Sequence, residues 1–126
     1  MKFESDLRYT RFNEWAKKTE NLVRVGIDDY SQSSLGDIVY VEISEAGKQV
    51  KSGDILGRIE ATKSVTDIIS PVSGLVVKVN SLVLEKPATI NLDPFGEGWL
   101  AEIQAEKLSE YEELMTLEEY KKFISK

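Results

Sequence analysis

Two strand-like runs, Ile55 to Glu60 and Val65 to Ser70, are separated only by Ala61-Thr62-Lys63-Ser64. A link that short joins antiparallel neighbours, because a parallel return needs a dozen or more residues. The chain must therefore form a hairpin here, with Lys63 at or near its tip. Glycine-punctuated segments bracket that hairpin almost symmetrically. Gly47-Lys48-Gln49-Val50-Lys51-Ser52-Gly53-Asp54 lies upstream, and Pro71-Val72-Ser73-Gly74-Leu75-Val76 follows. The arrangement suggests two similar half-motifs closing one small barrel.

The rest of the chain fits that frame. Leu22 to Ile27 alternates, with Val23, Val25 and Ile27 on one side and Leu22 and Arg24 on the other. Ile38 to Ile43 is rich in β-branched and aromatic residues, which suit a pleated, half-buried surface. Gly74 to Asn80 and Trp99 to Gln104 read as further strands, the latter after the turn Asp93-Pro94-Phe95-Gly96-Glu97-Gly98. Asp28 can cap a short helix from Asp29 to Leu35, which Gly36 would end. In the tail, Ser109…Glu112 and Thr116…Glu119 fit the capping box. Two apolar stripes there, ending at Met115 and Ile124, predict two short helices with a break near Thr116. The whole, residues 1–126, reads as a single mainly-β domain, a small sandwich or barrel with helical decoration.

Composition narrows the chemistry. The 126 residues contain no Cys and no His. Disulfides, thiolate nucleophiles, Ser-His-Asp triads and imidazole or thiolate metal sites are thereby excluded. With 16 Lys+Arg against 22 Asp+Glu, the net charge of −6 argues against a nucleic-acid partner, which needs a basic face. No apolar run approaches the roughly 20 residues of a membrane span. The early acids Glu4 and Asp6 suit neither a signal nor a transit peptide, so no membrane partner and cytoplasmic residence are expected. A binding or carrier module fits better than an enzyme.

Other conspicuous residues have ordinary explanations. Trp15 and Trp99 read as core anchors, and Asp28-Asp29 as a helix cap rather than a cation site. Gly96-Glu97-Gly98 precedes a strand and lacks the helix and Lys of a phosphate loop. Glu110, Glu112, Glu113, Glu118 and Glu119 read as a solvated acidic face.

A lysine on a hairpin tip, between symmetric glycine turns, resembles the biotinyl/lipoyl carrier fold, where such a lysine bears a swinging cofactor. The methionine flanks of biotin carriers are absent, as is the Asp that precedes the lysine in lipoyl domains of 2-oxoacid dehydrogenases. The stretch from Ile59 to Gly74 instead resembles the glycine cleavage system H protein family, with Glu60 three residues before Lys63, Asp67 four after it, and Pro71-Val72-Ser73-Gly74 beyond. Glu14-Trp15, Val25-Gly26-Ile27, Leu35-Gly36-Asp37-Ile38-Val39, Val79-Asn80, Ile90-Asn91, Asp93-Pro94 and Gly98-Trp99 match in order, so the likeness runs from about Tyr9 to Phe123.

The resemblance implies a lipoyl/biotinyl-type β-sandwich barrel and covalent lipoate on Lys63. It implies a non-catalytic carrier that takes the aminomethyl group of glycine from glycine decarboxylase to aminomethyltransferase. Dihydrolipoamide dehydrogenase would reoxidise the arm, and a lipoate ligase or lipoyl synthase would install it. Glu14, Glu60 and Asp67 would serve arm binding or ligase recognition. Six positions depart from the pattern: Phe12 replaces an often small, polar residue, Asn13 a histidine, and Tyr30 and Ser34 stand where the following helix usually carries His. Thr62 and Ser64 also replace the usual Val and Ala around the lysine. Two alternatives remain open at this level. One is a lipoate-binding relative serving sulfur oxidation or a lipoyl relay; the other is an unmodified interaction domain of the same fold.

Overall fold

A computed structural model describes residues 2–125. The elements run β1 (Arg8–Tyr9), β2 (Glu14–Thr19), β3 (Leu22–Ile27), α1 (Asp29–Leu35), β4 (Ile38–Ile43), β5 (Gln49–Val50) and β6 (Ile55–Ala61). They continue as β7 (Val65–Ile69), β8 (Gly74–Val79), α2 (Ser81–Glu85), α3 (Thr89–Leu92), β9 (Ala101–Ala105), α4 (Leu108–Glu112) and α5 (Leu117–Ile124). The strands form two antiparallel sheets, one in the order β1-β2-β3-β9-β8-β5 and one in the order β4-β6-β7.

The main core lies between the sheets. Val23, Val25, Val76 and Ile103 from the larger sheet meet Val41, Ile59 and Ile68 from the smaller. The alternation of β3 is realised, with Val23, Val25 and Ile27 buried. A second cluster joins Leu7, Tyr9 and Trp15 to Tyr120, whose ring stacks on Tyr9 with centroids 4.6 Å apart. Trp15 is the expected anchor: it is buried, and its indole N–H donates to the Pro94 carbonyl at 2.9 Å. Trp99 is not. It is half-buried and forms a shelf for the Arg24 guanidinium, 4.3 Å from the ring centroid. The strand expected to begin at Trp99 begins at Ala101, because Asn80 holds the turn open by donating to the Glu97 and Trp99 carbonyls.

Asp28 caps α1 as expected, accepting from the Ser31 amide at 2.8 Å, and Gly36 ends it with φ +83°. Thr116 and Glu119 form the expected capping box. The Ser109…Glu112 box does not form. Helix α4 starts two residues too early, with Lys107 at its cap and no side-chain capping bond. The tail acids are also more engaged than a solvated face implies. Glu110 accepts from the Ser73 amide and hydroxyl at 2.8 and 3.0 Å, and Glu112 pairs with Arg8 at 3.2 Å. Helix α4 packs beside the turn after β7 and beside β1, which puts those acids opposite donors.

Candidate functional site

The β6–β7 hairpin carries Lys63 midway between Ala61, which ends β6, and Val65, which begins β7, and the side chain is exposed. Within the tip, the Ala61 amide donates to the Ser64 carbonyl at 2.9 Å. From outside it, Thr62 N–H donates to the Asp37 carbonyl at 2.9 Å, and Lys63 N–H to the Leu35 carbonyl at 3.3 Å. Gly36 sits directly beneath: a Cβ there would stand 2.8 Å from Thr62 Oγ1 and 3.3 Å from Lys63 Cγ. A primary amine on a fixed backbone with a free side chain is what covalent attachment of a swinging arm requires. Lys63 fits lipoate.

The acids named from sequence occupy three different settings. Glu60 is half-buried beside the hairpin and pairs with Arg58 at 3.5 Å, while Arg58 also reaches Glu42 at 3.8 Å. Asp67 is exposed on β7, in register with Arg58. Glu14 is only 1% exposed, a buried carboxyl rather than a solvated surface acid. Its Oε2 accepts from the Ile69 amide at 2.7 Å and its Oε1 from the Thr10 hydroxyl at 3.3 Å.

Glu14 forms part of the wall of a cavity of about 590 Å³. The remaining lining is mostly apolar, including Phe12, Ile69, Leu114, Met115 and Phe123. Neither Glu60 nor Asp67 lines it. Phe12 does, and it is 47% exposed at the cavity's edge. Asn13 adopts φ 63°, and its side-chain oxygen lies 3.0 Å from the Tyr120 hydroxyl, which donates to buried Asp28. Tyr30 and Ser34 stay on α1 outside the cavity, with the Ser34 hydroxyl donating to the Tyr30 carbonyl. Sequence reading missed Thr10, Ile69 and the tail's share of the wall. Only the apolar stripe through Leu114 and Met115 hinted at the last.

Burial pushes the Glu14 carboxyl up to about 8, opposed by its two donors and assisted by nearby Asp28. Below pH about 4.5 both folded and unfolded chains hold this proton. Between about 4.5 and 8 only the folded chain keeps it, so stability falls as pH rises, by at most about 1.4 kcal/mol per pH unit. Glu14→Gln is expected to flatten most of that slope in urea midpoints measured across this window. Asp28, also raised by burial, leaves a residual slope.

The family model for the glycine cleavage H-protein matches residues 7–126. The chain belongs to that family. It is 43% identical over 124 residues to a glycine cleavage system H protein of Anaeromyxobacter sp. strain K, covering 98% of this chain and 97% of the relative. It is 46% identical over 125 residues to one from Coprothermobacter proteolyticus, covering 98% of each. The crystal structure of a glycine cleavage system H protein from Mycobacterium marinum superposes with a TM-score of 0.89 at 37% identity, covering 98% of this chain and 100% of that one. This chain is thus a carrier component of glycine cleavage, not a catalyst, with lipoate borne covalently on a lysine. Its partners are enzymes of that system.

Proposed function

We propose that Lys63 is the lipoylated residue and that the cavity beside Glu14 shelters the loaded arm between enzymes. The lipoyl group, when bound, supplies the dithiol–disulfide couple that carries the aminomethyl unit. The observation that carries the proposal is the pairing of an exposed amine on a fixed hairpin with a mostly apolar cavity containing one buried acid. Apolar walls suit a hydrocarbon arm, and a few placed polar groups set its orientation. At the wall, Glu14 would hold an ammonium by a charge-assisted hydrogen bond. Such bonds contribute about 1.5–3 kcal/mol. A cation there would also favour the ionised carboxylate and draw the Glu14 proton off at lower pH. Phe12 would cover the arm at the edge, where the wider family has a small polar residue. Asp67 on β7 would meet the arm on its way from Lys63, and Glu60, fixed by Arg58, would mark the hairpin for the modifying enzyme.

Glycine decarboxylase would load the arm and aminomethyltransferase would unload it. Dihydrolipoamide dehydrogenase would reoxidise the arm, and a lipoate ligase or lipoyl synthase would complete its installation. In this reading the whole chain acts as one cytoplasmic carrier domain. No helix among the described residues is long and apolar enough to cross a membrane.

The test is exchange of labelled bicarbonate into the glycine carboxyl, with lipoylated chain and glycine decarboxylase. Saturable exchange is expected. Loaded Glu14→Ala and Asp67→Ala chains should lose their aminomethyl cargo to solvent about tenfold faster, the factor expected from one charge-assisted bond. Unchanged release in Glu14→Ala would remove the cavity from this account. No exchange with a fully lipoylated wild-type chain would remove the carrier assignment.

A further inference from the structure

The lysine tip rests on the joint between α1 and β4, and one side chain ties the two ends of that joint together. Asn91, on α3, accepts from the Ile38 amide through Oδ1 at 2.9 Å. Its Nδ2 donates to the Gly36 carbonyl at 2.9 Å and to Gln32 Oε1 at 3.2 Å. The joint therefore has two bonded sides. Gly36 O and Ile38 N face Asn91, while the carbonyls of Leu35 and Asp37 accept from Lys63 and Thr62. Gly36, at φ +83°, lets the chain alternate in this way and leaves room for the lysine stem.

On one side of the joint the Gly36 amide closes α1 on the Gln32 carbonyl at 3.2 Å, and on the other Ile38 opens β4 in register with Ala61; Gly36 and Asp37 between them belong to neither element. Without Asn91, the Gly36 carbonyl and the Ile38 amide lose their side-chain partner. The two neighbouring carbonyls are then held in line with the tip only by the end of α1 and the start of β4. The bonds from Thr62 and Lys63 to those carbonyls would open more often, while Ala61 N–H to Ser64 O inside the tip is untouched.

We propose that Asn91 is a positioning residue for Lys63: through the joint it fixes the backbone of Thr62 and Lys63, and so the point at which the amine is offered to the modifying enzyme. The inference rests on the assignment of Lys63 as the lipoylated residue. A tip that samples several positions presents the competent one for only a fraction of the time. That fraction raises the apparent dissociation constant of the protein substrate. Loss of Asn91 should therefore act on the KM for the chain and leave kcat in place.

The experiment uses the full-length chain as wild type, Asn91→Ala, Asn91→Asp and a stability control, Val23→Ala, in the core of the other sheet. Asn91→Asp keeps the acceptor for Ile38 and loses both donations, and it serves as the second variant should Asn91→Ala not fold. Amide hydrogen exchange is followed at Thr62 and Lys63, with Ile59 and Ile68 of the same hairpin as internal references. Lipoylation is followed by intact mass with lipoate ligase, lipoate and ATP. In that step the lysine Nε attacks the lipoyl-adenylate carbonyl, an amide forms, the acyl–phosphate bond breaks, and AMP and a proton leave.

In the Asn91 variants, Thr62 and Lys63 should exchange about tenfold faster relative to the references, as expected when a supporting hydrogen bond is removed from a local opening. The KM for the chain should rise by a similar factor with kcat unchanged. Val23→Ala should shift protection at all four amides together and leave KM alone. If the Asn91 variants match the control, or retain the wild-type KM, the inference is overturned by itself. If the wild-type chain is lipoylated on another lysine, the Lys63 assignment falls and takes this inference with it.

Discussion

Lys63→Arg is expected to leave the fold unchanged and to abolish lipoylation and bicarbonate exchange together. The side chain is exposed at the tip, and arginine keeps both the charge and the apolar stem. What it removes is the primary amine. A guanidinium stays protonated at any working pH and offers no free nitrogen pair for acylation. The variant should therefore melt with the wild type and show no lipoyl mass increment. Exchange should fall to the level seen without carrier. A mass increment that persisted in Lys63→Arg would place the attachment elsewhere on the chain.

Gly74→Val is expected to be the most damaging of these changes to stability. The sequence leaves two reasons for glycine here, a left-handed backbone or close packing, and the structure selects the second. Gly74 is not among the positive-φ glycines, which are Gly36, Gly47 and Gly53. It starts β8 in register with Ala105 of β9 and Val50 of β5. A Cβ at this position would stand 2.0 Å from the Gln104 carbonyl oxygen, which is backbone and has no rotamer to retreat into. Strands β8 and β9 would have to part at the end of their ladder. We expect a loss of about 3 kcal/mol or more, read as a fall of about 1 M or more in the urea midpoint. An unchanged midpoint would mean that the two strands can separate there at no cost.

The hairpin was legible because a four-residue link between two apolar runs permits few alternatives. β3 and α1 were legible for similar local reasons, alternation in one and a cap with a terminating glycine in the other. β2 was not, because its burial does not alternate: Glu14, Trp15 and Ala16 are all buried, followed by exposed Lys17, Lys18 and Thr19. Its first half lies under the tail and its second half runs into solvent. Helices α2 and α3 have five and four residues, too few to establish a helical period. The attachment lysine was legible for the same reason as its hairpin. The cavity was not, since Phe12 and Glu14 meet Leu114, Met115 and Phe123 only after the chain ends have come together. Nothing near Glu14 in sequence announces burial, and its raised proton affinity follows mainly from that distant cover, with Asp28 assisting.

The two sheets also differ in when they can exist. The smaller one is drawn from a single stretch, Ile38 to Ile69, whereas the larger pairs strands from both ends of the chain and joins Tyr9 to Met115. A ribosome delivers residues in order, at about 5–20 per second. The lysine hairpin can thus form on a nascent chain while its counterpart still waits for β9, since pairings distant in sequence bear the larger entropic penalty. Asn91 emerges only after the hairpin is complete, and Met115 later still. An unfinished chain would consequently display the lysine before it can hold it steady, and synthesis itself sets the sequence of events: first the amine, then its support, and last the shelter for what it will carry.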